Sequence, residues 1–171
     1  MRNLLLSITA IFFFSCDDGD LQIETIDFDS ITAISTCNTV EVSTASLLFK
    51  INTVEALILE LPANALKNEV ITEAAVNAIT ESGPYKLIYR TFSDNVSKDY
   101  FCSSVPLTSP TVVEEIIAKT GNVLITTSEE DSTTYNHTVT LENITFETSE
   151  NNRITNLSIN DFGKITTTKA N

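Results

Sequence analysis

Hydrophobic positions along most of this chain repeat with a period of two. Leu47, Phe49 and Ile51 alternate with Leu48 and Lys50, and Leu57, Leu59 and Leu61 alternate with Ile58 and Glu60. Successive side chains of a strand point to opposite faces, so the two runs predict two strands joined as a hairpin near Asn52-Thr53. Gly83-Pro84 marks a turn. In the strand predicted over 85–92, Tyr85, Leu87 and Tyr89 share one face, with Lys86 and Arg90 on the other. Residues 123–127 read as a further strand.

Tyr135, His137, Val139 and Leu141 share a face, but Ile144 and Phe146 fall out of phase with them. One extra residue near Glu142-Asn143, a β-bulge, restores the phase. Asn151-Asn152 reads as the next turn, and 154–159 and 164–168 as closing strands. The many threonines suit exposed strand positions.

One stretch reads as helix. Pro110 fits a first turn after Ser109, and Thr111 and Glu114 have capping-box spacing. Val112, Val113, Ile116 and Ile117 form an apolar stripe that ends at Gly121. Over 64–79 the alanines favour helix but the stripe is poor, so loop and strand are expected there. Short strands with one short helix predict a mainly β fold, an antiparallel β-sandwich, with a small β-barrel as the alternative.

The first residues follow a different pattern. Met1-Arg2-Asn3 is a basic start, and 4–14 is an uncharged run of eleven residues. That length fits a signal-peptide core and falls short of the roughly 20 residues a membrane span needs. Phe13-Phe14-Ser15-Cys16 then resembles a lipobox, with small Ser15 before the cysteine, of the aromatic kind found in Bacteroidota lipoproteins. The resemblance implies that the Cys16 thiol becomes a thioether to diacylglycerol. Cleavage then falls between Ser15 and Cys16, and the new amine is acylated. The expected division is a signal over 1–15, an acidic tether over 16–20 and a single β-rich domain over 21–171. Asp17, Asp18 and Asp20 read as a solvated tether. They also resemble the acidic export signal that sends such lipoproteins to the cell surface. Carboxylates around Gly19 suit a hard cation, which makes these three the weak metal candidates, but the rest of a calcium loop is missing and no metal is expected.

Charge narrows the partners. The chain carries −13, and removing Arg2 with the leader leaves −14. Nucleic acid is excluded, because phosphate binding needs clustered Lys and Arg, and electrostatic docking on anionic headgroups is excluded with it. The expected attachment to a membrane is through the lipid, in the cell envelope, on the outer membrane, facing the periplasm or the surface.

Of three cysteines, Cys37 and Cys102 remain once Cys16 is lipidated. An even pair in an exported chain predicts a disulfide. The catalytic inventory is thin. His137 is the only histidine and lies in phase with apolar strand residues, which reads as a hydrogen-bonded structural histidine. GxSxG, HExxH and Gly-rich phosphate loops are lacking. Glu114-Glu115 and Glu129-Glu130-Asp131 are carboxylate clusters that read as solvated. Sequons at Asn95, Asn136, Asn143 and Asn156 read as chance in a Thr-rich chain. Asp29-Ser30-Ile31 and Asp131-Ser132-Thr133 resemble the Bacteroidota O-glycosylation motif, which implies sugar on Ser30 and Ser132.

Tyr89-Arg90-Thr91-Phe92-Ser93-Asp94, Asp99-Tyr100-Phe101-Cys102 and the stretch from Pro110 to Gly121 together resemble a group of marine flavobacterial lipoproteins. In that group a Tyr-Arg strand leads to a Cys, a Pro-started helix and further strands. The group has no assigned activity, so the resemblance implies no functional residues. The reading that follows is a non-catalytic envelope lipoprotein that binds a protein or glycan partner or plays a structural role, without a cofactor. A small-ligand or glycan-binding module is the alternative, followed by a carboxylate-based hydrolase.

Overall fold

A computed structural model describes residues 25–150 and 152–169. In chain order the strands are β1 (Thr25–Asp27), β2 (Ser46–Asn52), β3 (Glu55–Leu61), β4 (Ile71–Thr80) and β5 (Lys86–Phe92). The helix α1 (Lys98–Cys102) follows, then β6 (Val112–Ile117), β7 (Thr120–Glu129) and β8 (Thr134–Glu147). The chain closes with β9 (Arg153–Ile154), β10 (Asn156–Ser158) and β11 (Asp161–Thr168). Two antiparallel sheets run β2-β3-β5-β6 and β11-β8-β7-β4, with β9 attached to β8. A third, two-stranded sheet pairs β1 with β10 in parallel. None closes into a barrel.

The two large sheets pack face to face. Leu48, Leu57, Leu59, Leu87, Tyr89 and Ile116 from the first meet Ile79, Val123, Ile125, Val139, Leu141 and Phe146 from the second in one core. The first sheet is apolar on its other face as well. There Phe49, Ala56, Ile58, Ile88 and Phe92 form a second cluster, covered by Tyr100 and Phe101 of α1. Residues adjacent in sequence thus serve two cores, which explains why the polar half of the alternation is weak in β2, β3 and β5.

The hairpin turn is at Thr53-Val54, between the pair Asn52 and Glu55. The phase change in β8 is a bulge. Thr120 sits opposite Thr145 and Asn122 opposite Glu142, so β8 holds one residue more than β7 across this interval. Asn143 takes the left-handed conformation (φ 55) opposite Gly121, where a Cβ would lie 2.4 Å from Ile144 Cδ1. With the extra residue absorbed, Tyr135, His137, Val139, Leu141, Ile144 and Phe146 are all buried.

Three expectations are corrected or refined. The stretch after Pro110 is not a helix: 112–117 is β6, paired with β5 from Ile88–Ile117 to Phe92–Val112. β-Branched Val and Ile favour this extended form. Ile116 and Ile117 point to the two opposite cores, which a helical stripe cannot do. The Pro-started helix implied by the flavobacterial resemblance goes with it, and the one short helix is α1. The strand expected over 154–159 is divided between β9, on β8, and β10, on β1. Of the ambiguous stretch 64–79, residues from Ile71 on belong to β4, and the earlier part is loop. Asn151 lies outside the described residues, but Thr148 and Asn152 close that loop with a backbone bond of 2.9 Å.

Candidate functional site

Cys37 and Cys102 are joined, with an S–S distance of 2.06 Å and Cα atoms 5.0 Å apart. The bond ties the segment that bridges β2 at Ser35 to the end of α1. Ser15, Cys16, Asp17, Asp18 and Asp20 lie outside the described residues. Ser30 and Ser132 are both exposed. Ser132 sits at the tip of the β7–β8 turn, where Asp131 accepts bonds from the Thr133 and Thr134 amides (2.8 and 2.7 Å). Those bonds hold the Asp131 carboxyl below its ordinary range.

His137 is fully buried on the inner face of β8. Its Nδ1 lies 2.9 Å from Thr127 Oγ1 and its Nε2 2.7 Å from Thr167 Oγ1. The Thr167 hydroxyl donates its single proton to Asn68 Oδ1 (2.5 Å), so it accepts from Nε2–H. Nδ1 is then the acceptor for the Thr127 hydroxyl. The imidazole is neutral, spent on structure, and ties three strands to the 62–70 loop. Burial pushes its pKa below the ordinary 6.5.

That direction fixes a pH dependence. Above pH 6.5 neither the folded nor the unfolded state protonates this group. As the pH falls through 6.5 the unfolded chain takes up a proton that the folded chain does not, and stability drops. The slope reaches about 1.4 kcal/mol per pH unit. Urea unfolding at pH 7 and pH 5 is expected to show a steeper loss for the wild type than for His137→Gln. Equal losses would show that His137 does not control this limb.

Lys50 is the other buried polar centre, on the face of β2 that also carries the core residue Leu48. Only 1% of it is exposed. Its Nζ donates to the Phe28 carbonyl (2.8 Å) and the Asp161 carbonyl (2.6 Å) and lies 5.7 Å from the centre of the Phe162 ring. Desolvation pushes its pKa down, against the pull of Asp161, Asp29 and Asp27. The ammonium therefore fastens the segment after β1 and the start of β11 to the edge of β2. The Tyr89 hydroxyl donates to Glu55 (2.6 Å), another pairing with no local sequence signal.

The carboxylate clusters are not brought together. Glu114 and Glu115, with Glu81 and Glu147, line a shallow cleft of about 500 Å³ that Glu129, Glu130 and Asp131 do not reach. Within it Glu115 is held by Arg90 and Glu147 by Lys119. A second open depression of about 540 Å³ lies beside the bulge, between Thr140–Asn143 and Asn160-Asp161. Among the described residues no group of three His, Cys, Asp or Glu converges to hold a metal ion. Every described Tyr and Phe is buried or half-buried, so none forms an exposed platform for a sugar ring. Among the described residues no helix is long and apolar enough to cross a membrane. Comparisons with protein-family models, curated proteins and solved structures returned no match.

Proposed function

We propose that this protein is a lipid-anchored lipoprotein of the cell envelope, whose β-sandwich is a non-catalytic binding or structural module. The observation that carries the reading is the Cys37–Cys102 disulfide beside the leader and Cys16. Disulfides persist in oxidising compartments, which is where a signal peptide delivers a chain. The only histidine is consumed by two threonine hydroxyls, and in the cleft lined by Glu81, Glu114, Glu115 and Glu147 two of the acids are held by Arg90 and Lys119. Both observations favour binding or scaffolding over hydrolysis. Two or three acyl chains on Cys16 would give firm attachment, at about 0.8 kcal/mol per buried methylene.

Metabolic labelling with palmitate tests the anchor. Label is expected in the wild type and not in Cys16→Ser, and equal labelling of both would refute the attachment. Proteolysis of intact cells tests the orientation: digestion of the sandwich is expected for a surface-facing domain, and protection for a periplasmic one.

A further inference from the structure

We propose that the free edge of β4 docks an extended segment of a partner protein, apolar at its centre and flanked by Lys or Arg. β4 ends its sheet, and among the described residues it pairs only with β7. The other end strands of the two large sheets are guarded. β2 is bridged at Phe49 by Ser35 through two backbone bonds. β6 carries Glu114 and Glu115. β11 carries Asp161 and Lys164, and its Thr168 carbonyl accepts from Asn68. β4 has one charge, Glu73, and no proline in its ten residues, and its register irregularity is confined to the interval between Ile71 and Ala75, which leaves 75–80 without a guard. An edge without such guards is one that proteins avoid leaving open, because its unpaired N–H and C=O groups match an incoming strand.

The part of β4 after its irregularity, 75–80, pairs regularly with β7 from Ala75–Ile125 to Thr80–Thr120. Ala75, Val76 and Ala78 are exposed there, Val76 at 63%. These short side chains leave room for those of a neighbouring strand.

Charge selects the occupant. The register places Ile71 opposite Thr127, so Glu69 and Glu129, Glu130 and Asp131 lie beyond that end of β4. Glu81 follows the other end. Against them stand Lys67, paired with Glu69, Lys119, paired with Glu147, and Lys169, whose amide donates to the Thr133 carbonyl beside the 129–131 carboxylates. Carboxylates are therefore in excess at both ends. A second copy would bring the same carboxylates and a net charge of −13 against them, whereas a strand with basic flanks is attracted.

This inference rests on the domain being a binding module. Its test uses the full chain and a fluorescent peptide, Lys-Lys-Thr-Val-Thr-Val-Thr-Lys-Lys, read by anisotropy. Binding is expected, and it should weaken by about tenfold or more when alternate amides along one peptide edge are N-methylated. A similar loss is expected when the peptide's lysines are replaced by glutamate. Val76→Pro should also abolish binding, and Glu73→Lys with Glu81→Lys, which changes only exposed side chains, should weaken it. Failure to bind, or binding indifferent to N-methylation and flank charge, overturns the proposal. So does self-association of two copies through β4. Binding that survives both sets of substitutions also overturns the edge site, yet leaves the binding-module reading standing.

Discussion

A Lys50→Glu chain is expected to show no cooperative urea transition, whereas Lys50→Met should keep one with a loss of about 1–2 kcal/mol. The wild-type ammonium donates to two backbone carbonyls in a site that solvent barely reaches. A carboxylate there removes both bonds, worth about 1.5–3 kcal/mol each. It also turns a negative charge toward two carbonyl oxygens in the field of Asp161, Asp29 and Asp27. An uncompensated buried charge adds about 3–5 kcal/mol. Together these reach the roughly 5–15 kcal/mol that holds a domain folded. Methionine keeps the packed stem and removes the desolvation burden of the ammonium along with its bonds. The Phe28 carbonyl still has the Ile31 amide (3.2 Å), so the cost falls mainly on the Asp161 carbonyl. Because the chain lacks Trp, far-UV dichroism is the suitable signal. A Glu variant with a wild-type midpoint would show that the ammonium does not tie β2 to its neighbours.

Lys50 also marks where sequence reading stops. The period of two made the hairpin, β5, β7 and the β8 bulge legible, because each depends on local alternation. His137 was legible in the same way, since its phase with Val139 and Leu141 placed it inward. Lys50 shares the phase of Leu48, but its acceptors lie 22 and 111 residues away, and no local pattern encodes them. The error at β6 has a related cause. Apolar residues at 112, 113, 116 and 117 fit one helical stripe, and they equally fit a strand whose two faces meet different environments. Pairing with β5 decides between them, and pairing is non-local. α1, at five residues, is too short to show a period. The status of β4 was hidden for a third reason: a strand becomes an edge through sheet order, and its alanines carry little facial pattern. The proposed anchor is the reverse case: Arg2, the apolar run and Ser15-Cys16 predict it, and all of them lie outside the described residues.

Replacing Cys37 and Cys102 together by serine is expected to cost about 4 kcal/mol, on the chain-entropy account of a loop with a sequence separation of 65. The loss should begin at α1. A five-residue helix is not stable alone, and the Ser97 side chain makes no capping bond to it. What holds α1 is the disulfide at Cys102 and the packing of Tyr100 and Phe101 on Phe92, with ring centroids 4.9 and 6.1 Å away. Without the bond, the stacked Phe101 and Phe49 rings, 4.4 Å apart, can separate and expose the outer face of β2, β3 and β5. The double variant is thus expected to unfold at lower urea and to be cleaved first within 93–111. In the wild type, alkylation without reductant should leave Cys37 and Cys102 unmodified. An unchanged midpoint would mean that the aromatic cluster alone fixes α1. Accelerated cleavage with a near-normal midpoint would place the effect of the bond in local opening, with little contribution to global stability.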